Sequence, residues 1–196
     1  MTETAPATGA DTLNAEEDTQ VATGLAANLE AVFRKIEQER MLDVPILNPL
    51  LHVACIGMRR SGACWLSVLV TPWFINVMLL PGSEAEAGAW NRMAPGAKVK
   101  REFPSGLFEF ICGREEGIGP YQTCSLFSPV LEFENQEAAI AAAEAALGAI
   151  FDATLHPGYK ETEASAEPAQ GEKEAAKLSR RDLFTGSLKD RDRAGE

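Results

Sequence analysis

The chain has 196 residues, 45% of them hydrophobic, which is enough for one domain with a sizeable core. Its 29 acidic and 18 basic residues give a formal charge of −11 and a pI of about 4.7. This charge argues against nucleic-acid binding, because phosphates require clusters of Lys and Arg. An acidic surface instead suits a basic partner.

The beginning of the chain is polar and acidic, unlike a secretory signal, which needs a basic start and an apolar stretch. The longest apolar stretch, residues 65–80, is interrupted by Ser67, Pro72 and Asn76 and is too short to span a bilayer. We therefore expect a cytoplasmic protein without stable membrane insertion.

Residues 1–13 are small, polar and acidic, which is typical of a disordered segment. Asn14, with Glu17 three residues later, resembles a helix-starting capping box. The apolar residues that follow recur at helical spacing: Val21, Leu25, Leu29, Val32, Phe33 and Ile36. This pattern predicts an amphipathic helix that ends before Pro45.

The middle of the chain has the alternation and the β-branched composition of strands. Strands are predicted at residues 51–58, 63–71, 73–80, 98–103, 106–112 and 121–127. Pro72 marks a turn, a bulge or a sheet edge, and residues 82–98 are interpreted as a long loop. Asn135 opens an alanine-rich helix, and from His156 onward the composition is that of a solvated, charged tail.

The order of helix, five or six strands and helix predicts an α+β fold over residues 14–155, between a disordered segment (1–13) and a disordered charged tail (156–196). Short links between neighbouring strands favour a mainly antiparallel sheet, flanked by an N-terminal and a C-terminal helix. We expect both helices to cover one face, which would leave the other face or an edge strand free to bind a peptide.

Several short motifs occur along this domain in a fixed order. They are N-P-L-L-H-V (48–53), W-L-S-V-L-V-T-P-W-F-I-N (65–76), L-L-P-G (79–82), F-P-S-G (103–106), F-E-F-I (108–111), G-P-Y-Q-T-C-S-L-F-S-P (119–129) and E-F (132–133). Together they resemble the HybE/HupJ family of [NiFe]-hydrogenase maturation chaperones, and the resemblance covers residues 20–155. Both terminal segments lie outside it.

The resemblance implies a small α+β domain similar to secretion chaperones, without enzymatic activity or cofactor. It also implies a role in the maturation and assembly of an uptake [NiFe]-hydrogenase. The expected partners are the small subunit or its twin-arginine signal peptide before export, the large subunit, and other hydrogenase accessory proteins. Some relatives carry a fused rubredoxin, for which this chain has no cysteine pattern.

Acidic residues of the second half are candidates for binding such a signal, because carboxylates pair with guanidinium groups in bidentate geometry. They are Glu109, Glu115, Glu116, Glu132, Glu134 and Glu137, against Arg114 alone. The alternative is an ordinary solvated acidic face.

Trp73, Phe74, Tyr121 and Gln122 are further candidates for partner contacts, because aromatic residues anchor interfaces, although they also fill cores. Trp73 and Phe74 are adjacent, so in a strand they would point to opposite faces, one into the core and one outward. A buried Gln122 or Asn76 would need hydrogen-bond partners.

Two alternative functions are a metal or iron–sulfur carrier and a thiol enzyme with Cys124 as nucleophile and His52 as base. The four cysteines, at positions 55, 64, 112 and 124, form no C-x-x-C pair, so no metal site is predicted. We expect buried thiols instead.

The tail contains a sequence that resembles a twin-arginine signature: Ser179, Arg180, Arg181, Asp182, Leu183 and Phe184. No apolar segment follows it, so export is not expected. It is either part of an ordinary mixed-charge tail or a mimic of a client signal that binds the chain's own domain.

Overall fold

A six-stranded antiparallel sheet forms the centre of the fold and carries helices on both faces. The computed structural model describes residues 9–42 and 44–158. Within them the elements are α1 (Gly9–Arg40), β1 (Ala54–Ser61), β2 (Cys64–Val70), β3 (Ile75–Pro81), α2 (Glu84–Asn91), β4 (Lys98–Phe103), β5 (Gly106–Glu115), β6 (Gly119–Phe127), α3 (Gln136–Ile150) and a 3-10 turn (Ala153–Leu155).

The sheet is built from two three-stranded meanders, with the strand order β1-β2-β3-β6-β5-β4. The strands within each meander are connected by short turns, and the pairing of β3 with β6 joins the two meanders into one sheet. Along the chain, α2 connects β3 of the first meander to β4 of the second. All pairings are antiparallel. The predicted α+β fold with an antiparallel sheet flanked by helices is confirmed.

The two terminal helices lie on opposite faces of the sheet. On β2, Val68 packs into the core that contains Leu147 of α3, and the next residue, Leu69, packs with Leu29 and Phe33 of α1. The prediction that both helices cover one face is therefore wrong. Every residue of β2 is buried, as in a strand covered on both sides.

Helix α1 covers only part of its face. Ile111 of β5 pairs with Thr123, which pairs in turn with Met78 of the α1-side core. Ile111 therefore points to the α1 side, yet its exposed fraction is 45%, and Leu107 in the same row of β5 is 58% exposed. The β4–β5 half of this face remains open.

The β4–β5 hairpin separates from β6 in its outer half. β5 pairs with β6 from Ile111 to Glu115, whereas it pairs with β4 as far as Gly106. The hairpin turn reaches the end of α3, where Ser105 Oγ donates to Ile150 O at 2.8 Å. The sheet thus curves around α3.

Residues 84–91 form helix α2, so the interpretation of residues 82–98 as a loop is wrong over this part. The hydroxyl of Ser83 accepts from Glu86 N at 3.3 Å, and Glu86 Oε2 accepts from Gly82 N at 3.0 Å. The sequence S-x-x-E and the Ser83 bond are those of a capping box, with the carboxylate bound to the residue before the N-cap. Trp90 on this helix is buried in the core.

Helix boundaries agree with the sequence at α3 and differ at α1. Asn135 caps α3, as predicted, and its side chain accepts from Ala138 N at 2.8 Å. Helix α1 begins at Gly9 rather than Asn14, so the polar residues before Asn14 also belong to it. Residues 1–8 and 159–196, which include the tail motif, lie outside the described residues. None of the described helices combines the length and hydropathy of a membrane span.

Candidate partner-binding surface

Two loops meet at one end of the sheet, residues 41–53 after α1 and residues 128–135 after β6. Asn48, which is 3% exposed, holds them together. Its Nδ2 donates to Val130 O at 2.9 Å and to Phe133 O at 2.8 Å. Its Oδ1 accepts from Leu50 N at 3.0 Å. One buried amide therefore fixes two loops that are more than 80 residues apart in the chain.

Gln136, the first residue of α3, makes a second link between the same segments. Its Oε1 accepts from His52 N at 2.9 Å and its Nε2 donates to His52 O at 3.3 Å. The side-chain amide thereby pairs with both polar groups of one backbone residue, as a neighbouring strand would. The start of β1 is therefore anchored to the start of α3.

Large apolar side chains are exposed beside these links. Ile46 is 38%, Leu50 59% and Leu131 56% exposed. Leu50 and Leu131 adjoin the backbone groups that Asn48 binds, and Ile46 lies two residues before Asn48. Exposed apolar groups held on a rigid backbone are typical of a binding site for another polypeptide.

Two exposed carboxylates, Glu132 and Glu134, lie on the same loop as Leu131. Residues 41–53 and 128–138 contain no lysine or arginine, so no basic side chain of these loops offsets the negative charge. We call Ile46, Leu50, Leu131, Glu132 and Glu134 the loop surface. Its chemistry suits a segment with positive charge next to apolar side chains.

The acids predicted as one group lie in separate places. Glu109 pairs with Lys98 Nζ at 2.9 Å across β5 and β4, and Glu115 pairs with Arg40 Nη2 at 2.7 Å. Glu116 is exposed beside Glu115 and lines with it a groove of about 230 Å³ against α1. The nine residues of β6 separate this end from the loop surface, a distance of about 30 Å.

Trp73 and Phe74 lie together under α1. Both rings contact Phe33, with centroid distances of 6.5 and 5.9 Å, and their own centroids are 5.6 Å apart. The prediction that they point to opposite faces is wrong, because both belong to the turn before β3, closed by the hydrogen bond from Thr71 N to Phe74 O at 2.9 Å. Trp73 is a buried residue of the α1-side core, and Phe74 is partly buried and packs against that core.

Tyr121 is half-buried on the α1 side, and its ring lies over Gly113 of β5. A Cβ on Gly113 would be 2.5 Å from Tyr121 Cε2, so only glycine fits there. Burial raises the pKa of the Tyr121 hydroxyl, and the nearby Glu115 raises it further. Tyr121 thus packs against the α1-side core.

Gln122 is fully buried, on the opposite face from Tyr121. Its Oε1 accepts from Arg101 Nε at 2.9 Å, and the Arg101 guanidinium lies 5.2 Å from the centroid of the Trp90 ring. Among the described residues, Gln122 Nε2 has no hydrogen-bond partner. Gln122 is therefore an interior residue and is not on the surface that a partner can reach.

Cys55 and Cys64 are held in the neutral thiol form. Burial raises the pKa of Cys55 to about 11, and burial with the neighbouring Glu86 raises the pKa of Cys64 to about 11. Cys124 is 6% exposed in the sheet core. A neutral thiol is neither a nucleophile nor a metal ligand. Within the described residues, no three His, Cys, Asp or Glu side chains are grouped as a metal site would require.

A family model described as "[NiFe]-hydrogenase assembly, chaperone, HybE" matches residues 24–186. The hydrogenase expression/formation protein HupJ of Bradyrhizobium diazoefficiens is 34% identical over 163 residues, which cover 83% of this chain and 88% of that protein. The chain belongs to the HybE family of [NiFe]-hydrogenase assembly chaperones. This is a family of assembly factors and not a class of enzymes.

Two other comparisons describe how far the likeness reaches. HupJ of Rhodobacter capsulatus, which carries a rubredoxin name, is 40% identical over 125 residues, and the match spans 64% of this chain but only 44% of that relative. The solution structure of HybE from Escherichia coli aligns with a TM-score of 0.52 at 20% identity, over 77% of this chain and 91% of that chain. The latter shows a shared fold.

The residues that build the loop surface of this HybE-family chain were missed as site candidates, apart from Glu132 and Glu134. Asn48 and His52 belong to a motif of the resemblance, but their partners Val130, Phe133 and Gln136 are more than 80 residues away. A polar residue between Leu47 and Pro49 in an apolar segment was the signal in the sequence that Asn48 has a structural partner.

Proposed function

We propose that this chain is an assembly chaperone that binds the small subunit of an uptake [NiFe]-hydrogenase through its twin-arginine signal peptide, before export. Membership of the HybE family supports a hydrogenase-related client. The loop surface supports the choice of the signal peptide as the client segment. Its exposed apolar side chains adjoin carboxylates, and its two loops contain no lysine or arginine.

A twin-arginine signal presents two adjacent guanidinium groups and then an apolar stretch. Glu132 and Glu134 can accept bidentate hydrogen bonds from the guanidinium groups. The apolar stretch that follows can cover Leu50 and Leu131, which are more than half exposed, and each covered leucine contributes about 1 kcal/mol. The positive charges of the signal thus match the carboxylates of the loop surface, and its apolar stretch matches the exposed leucines.

The groove at the other end of β6 is a weaker candidate for the same client. Glu115 already accepts a hydrogen bond from Arg40 at 2.7 Å, so an incoming arginine would first have to displace a guanidinium of the chain itself. The same groove is lined by Lys35, which repels a basic segment. We therefore place the client arginines at Glu132 and Glu134.

Calorimetric titration with the signal peptide of the hydrogenase small subunit, beside a twin-lysine version of it, tests this proposal. We expect micromolar binding that weakens about tenfold with lysine, because lysine keeps the charge but lacks the planar fork. The variant Glu132→Lys/Glu134→Lys should weaken binding at least as strongly. Absence of binding to either peptide would contradict signal recognition.

A matched control separates local contacts from overall charge. The variant Glu17→Lys/Glu144→Lys changes the net charge by the same amount at exposed positions of α1 and α3, and it should leave the affinity nearly unchanged at physiological salt. An equal loss in this control would show that only the net charge matters. A loss in Glu116→Lys alone would move the site to the groove beside α1.

A further inference from the structure

The tail begins at a place from which it can reach the loop surface. The last described residues lie against the β4–β5 turn, where a Cβ on Gly106 would be 3.5 Å from Pro157 Cδ. That turn contacts the C-terminal end of α3 through Ile150, whereas Gln136 at the other end anchors the loop surface. The 15 residues of α3 span about 22 Å.

The tail also carries a segment whose chemistry matches the loop surface. Residues 159–175 contain five acids and two bases, whereas residues 177–181 read K-L-S-R-R, with three bases and no acid. Leu183 and Phe184 follow after Asp182. Adjacent arginines followed by large apolar residues are what we propose the client presents. The family match extends to residue 186 and so includes this segment.

We propose that Arg180, Arg181, Leu183 and Phe184 occupy the loop surface of their own chain until a client displaces them. This inference rests on the proposed function, since it assigns the same surface to both ligands. The arginines bind Glu132 and Glu134, and the two apolar residues cover the exposed leucines. The segment acts as an internal competitor that raises the affinity a client needs.

The length of the connection favours this occupant over a segment from a second molecule. Gly158 and Arg180 are 22 positions apart, and flexible linkers of that length in general have a root-mean-square reach of about 25 Å. That reach is close to the length of α3, and a matched reach gives an effective concentration of about 1 mM. A segment that binds with a Kd of about 100 µM in trans would then weaken a client about tenfold.

The test compares the full chain with its Arg180→Lys/Arg181→Lys variant, which keeps the charge but removes the guanidinium fork. We expect the variant to bind the small-subunit signal peptide about tenfold more tightly. Amide NMR signals of Leu50, Leu131 and Glu132 should shift between the two proteins. A synthetic peptide of residues 177–187, added to the variant, should shift these signals back toward their wild-type positions.

The control variant Arg191→Lys/Arg193→Lys makes the same chemical change further along the tail and should alter neither the affinity nor the amide signals. Equal client affinity in all three proteins, with unmoved signals, would overturn the inference and leave the proposed function intact. If the tail peptide binds the loop surface and the client peptide does not, the proposed function fails and the competition with a client fails with it, whereas binding of the tail segment to its own domain is retained. Signal shifts that disappear on dilution would contradict intramolecular binding.

Discussion

Replacement of Asn48 by alanine should both destabilise the fold and disorganise the loop surface. The variant loses the two hydrogen bonds that Asn48 donates to Val130 O and Phe133 O, and the one that it accepts from Leu50 N. Val130 O retains a hydrogen bond from Phe133 N at 3.3 Å. At about 1 kcal/mol for each lost bond, and up to about 3 kcal/mol for a buried group left without a partner, the loss is about 2–4 kcal/mol.

Urea unfolding, followed by circular dichroism and tryptophan fluorescence, measures this loss as a lower midpoint at an unchanged slope. Asn48→Asp should cost at least as much, because it keeps the acceptor for Leu50 N but turns a donor into an oxygen that faces two carbonyl oxygens. Affinity for the signal peptide should fall in both variants, since Leu50 and Leu131 are no longer held in place.

Asn28 provides the control for this reasoning. Its Nδ2 donates to Gly117 O at 2.9 Å, the same kind of bond over a similar sequence separation, but at an exposed position. Water can replace the lost donor there, so Asn28→Ala should cost less than about 1 kcal/mol. If the Asn48 and Asn28 variants lose the same stability, burial of the amide is not what makes Asn48 important.

Two further predictions concern the sheet. Gly113→Ala should cost about 1–3 kcal/mol in urea unfolding, because its Cβ would overlap the Tyr121 ring, and Gly113→Ala/Tyr121→Ala should recover part of this loss. Cys55 and Cys64 have pKa values of about 11 in the folded chain, against the usual 9.0. The free energy of unfolding should therefore fall as pH rises from about 9 to about 11, because the thiols of the unfolded chain ionise first. This decline should be shallower in Cys55→Ala/Cys64→Ala, and an unchanged decline would contradict the assignment.

Local signals in the sequence predicted the elements well. Asn135 before an alanine-rich stretch located the start of α3, and alternation located the strands, because both depend on neighbours along the chain. Helix α2 was not predicted, although S-E-A-E at residues 83–86 has the pattern of a capping box, because Gly88, Pro95 and Gly96 in the same segment are typical of a loop.

The arrangement in space was less accessible. The sequence of β2, C-W-L-S-V-L-V, is apolar almost throughout, as in a strand covered on both faces. The prediction nevertheless placed both helices on one face, because local sequence patterns do not specify which face a distant helix covers. Gln122 was predicted as a contact residue together with its neighbour Tyr121, yet the alternation of β6 places Gln122 inside. Glu115 and Glu132 are only 17 residues apart, but β6 runs between them, so proximity in the chain became separation in space.

The loop surface shows the opposite relation, separation in the chain that becomes proximity in space. Its two loops come from the first and the last of the motifs on which the family resemblance depends, N-P-L-L-H-V and the stretch that ends in S-P with E-F after it. Asn48 of the first motif donates to Phe133 O of the last motif, and Gln136, three residues beyond that motif, binds the backbone of His52 in the first. The two buried amides are not needed for strand pairing, since β1 and β6 are not neighbours in the sheet.

The effect of the two amides is to fix the positions of Leu50 and Leu131 relative to each other. Rigid exposed leucines reduce the entropy that a chaperone loses when it binds a client. The same rigidity explains why the Asn48 variant should lose client affinity even at temperatures where it stays folded.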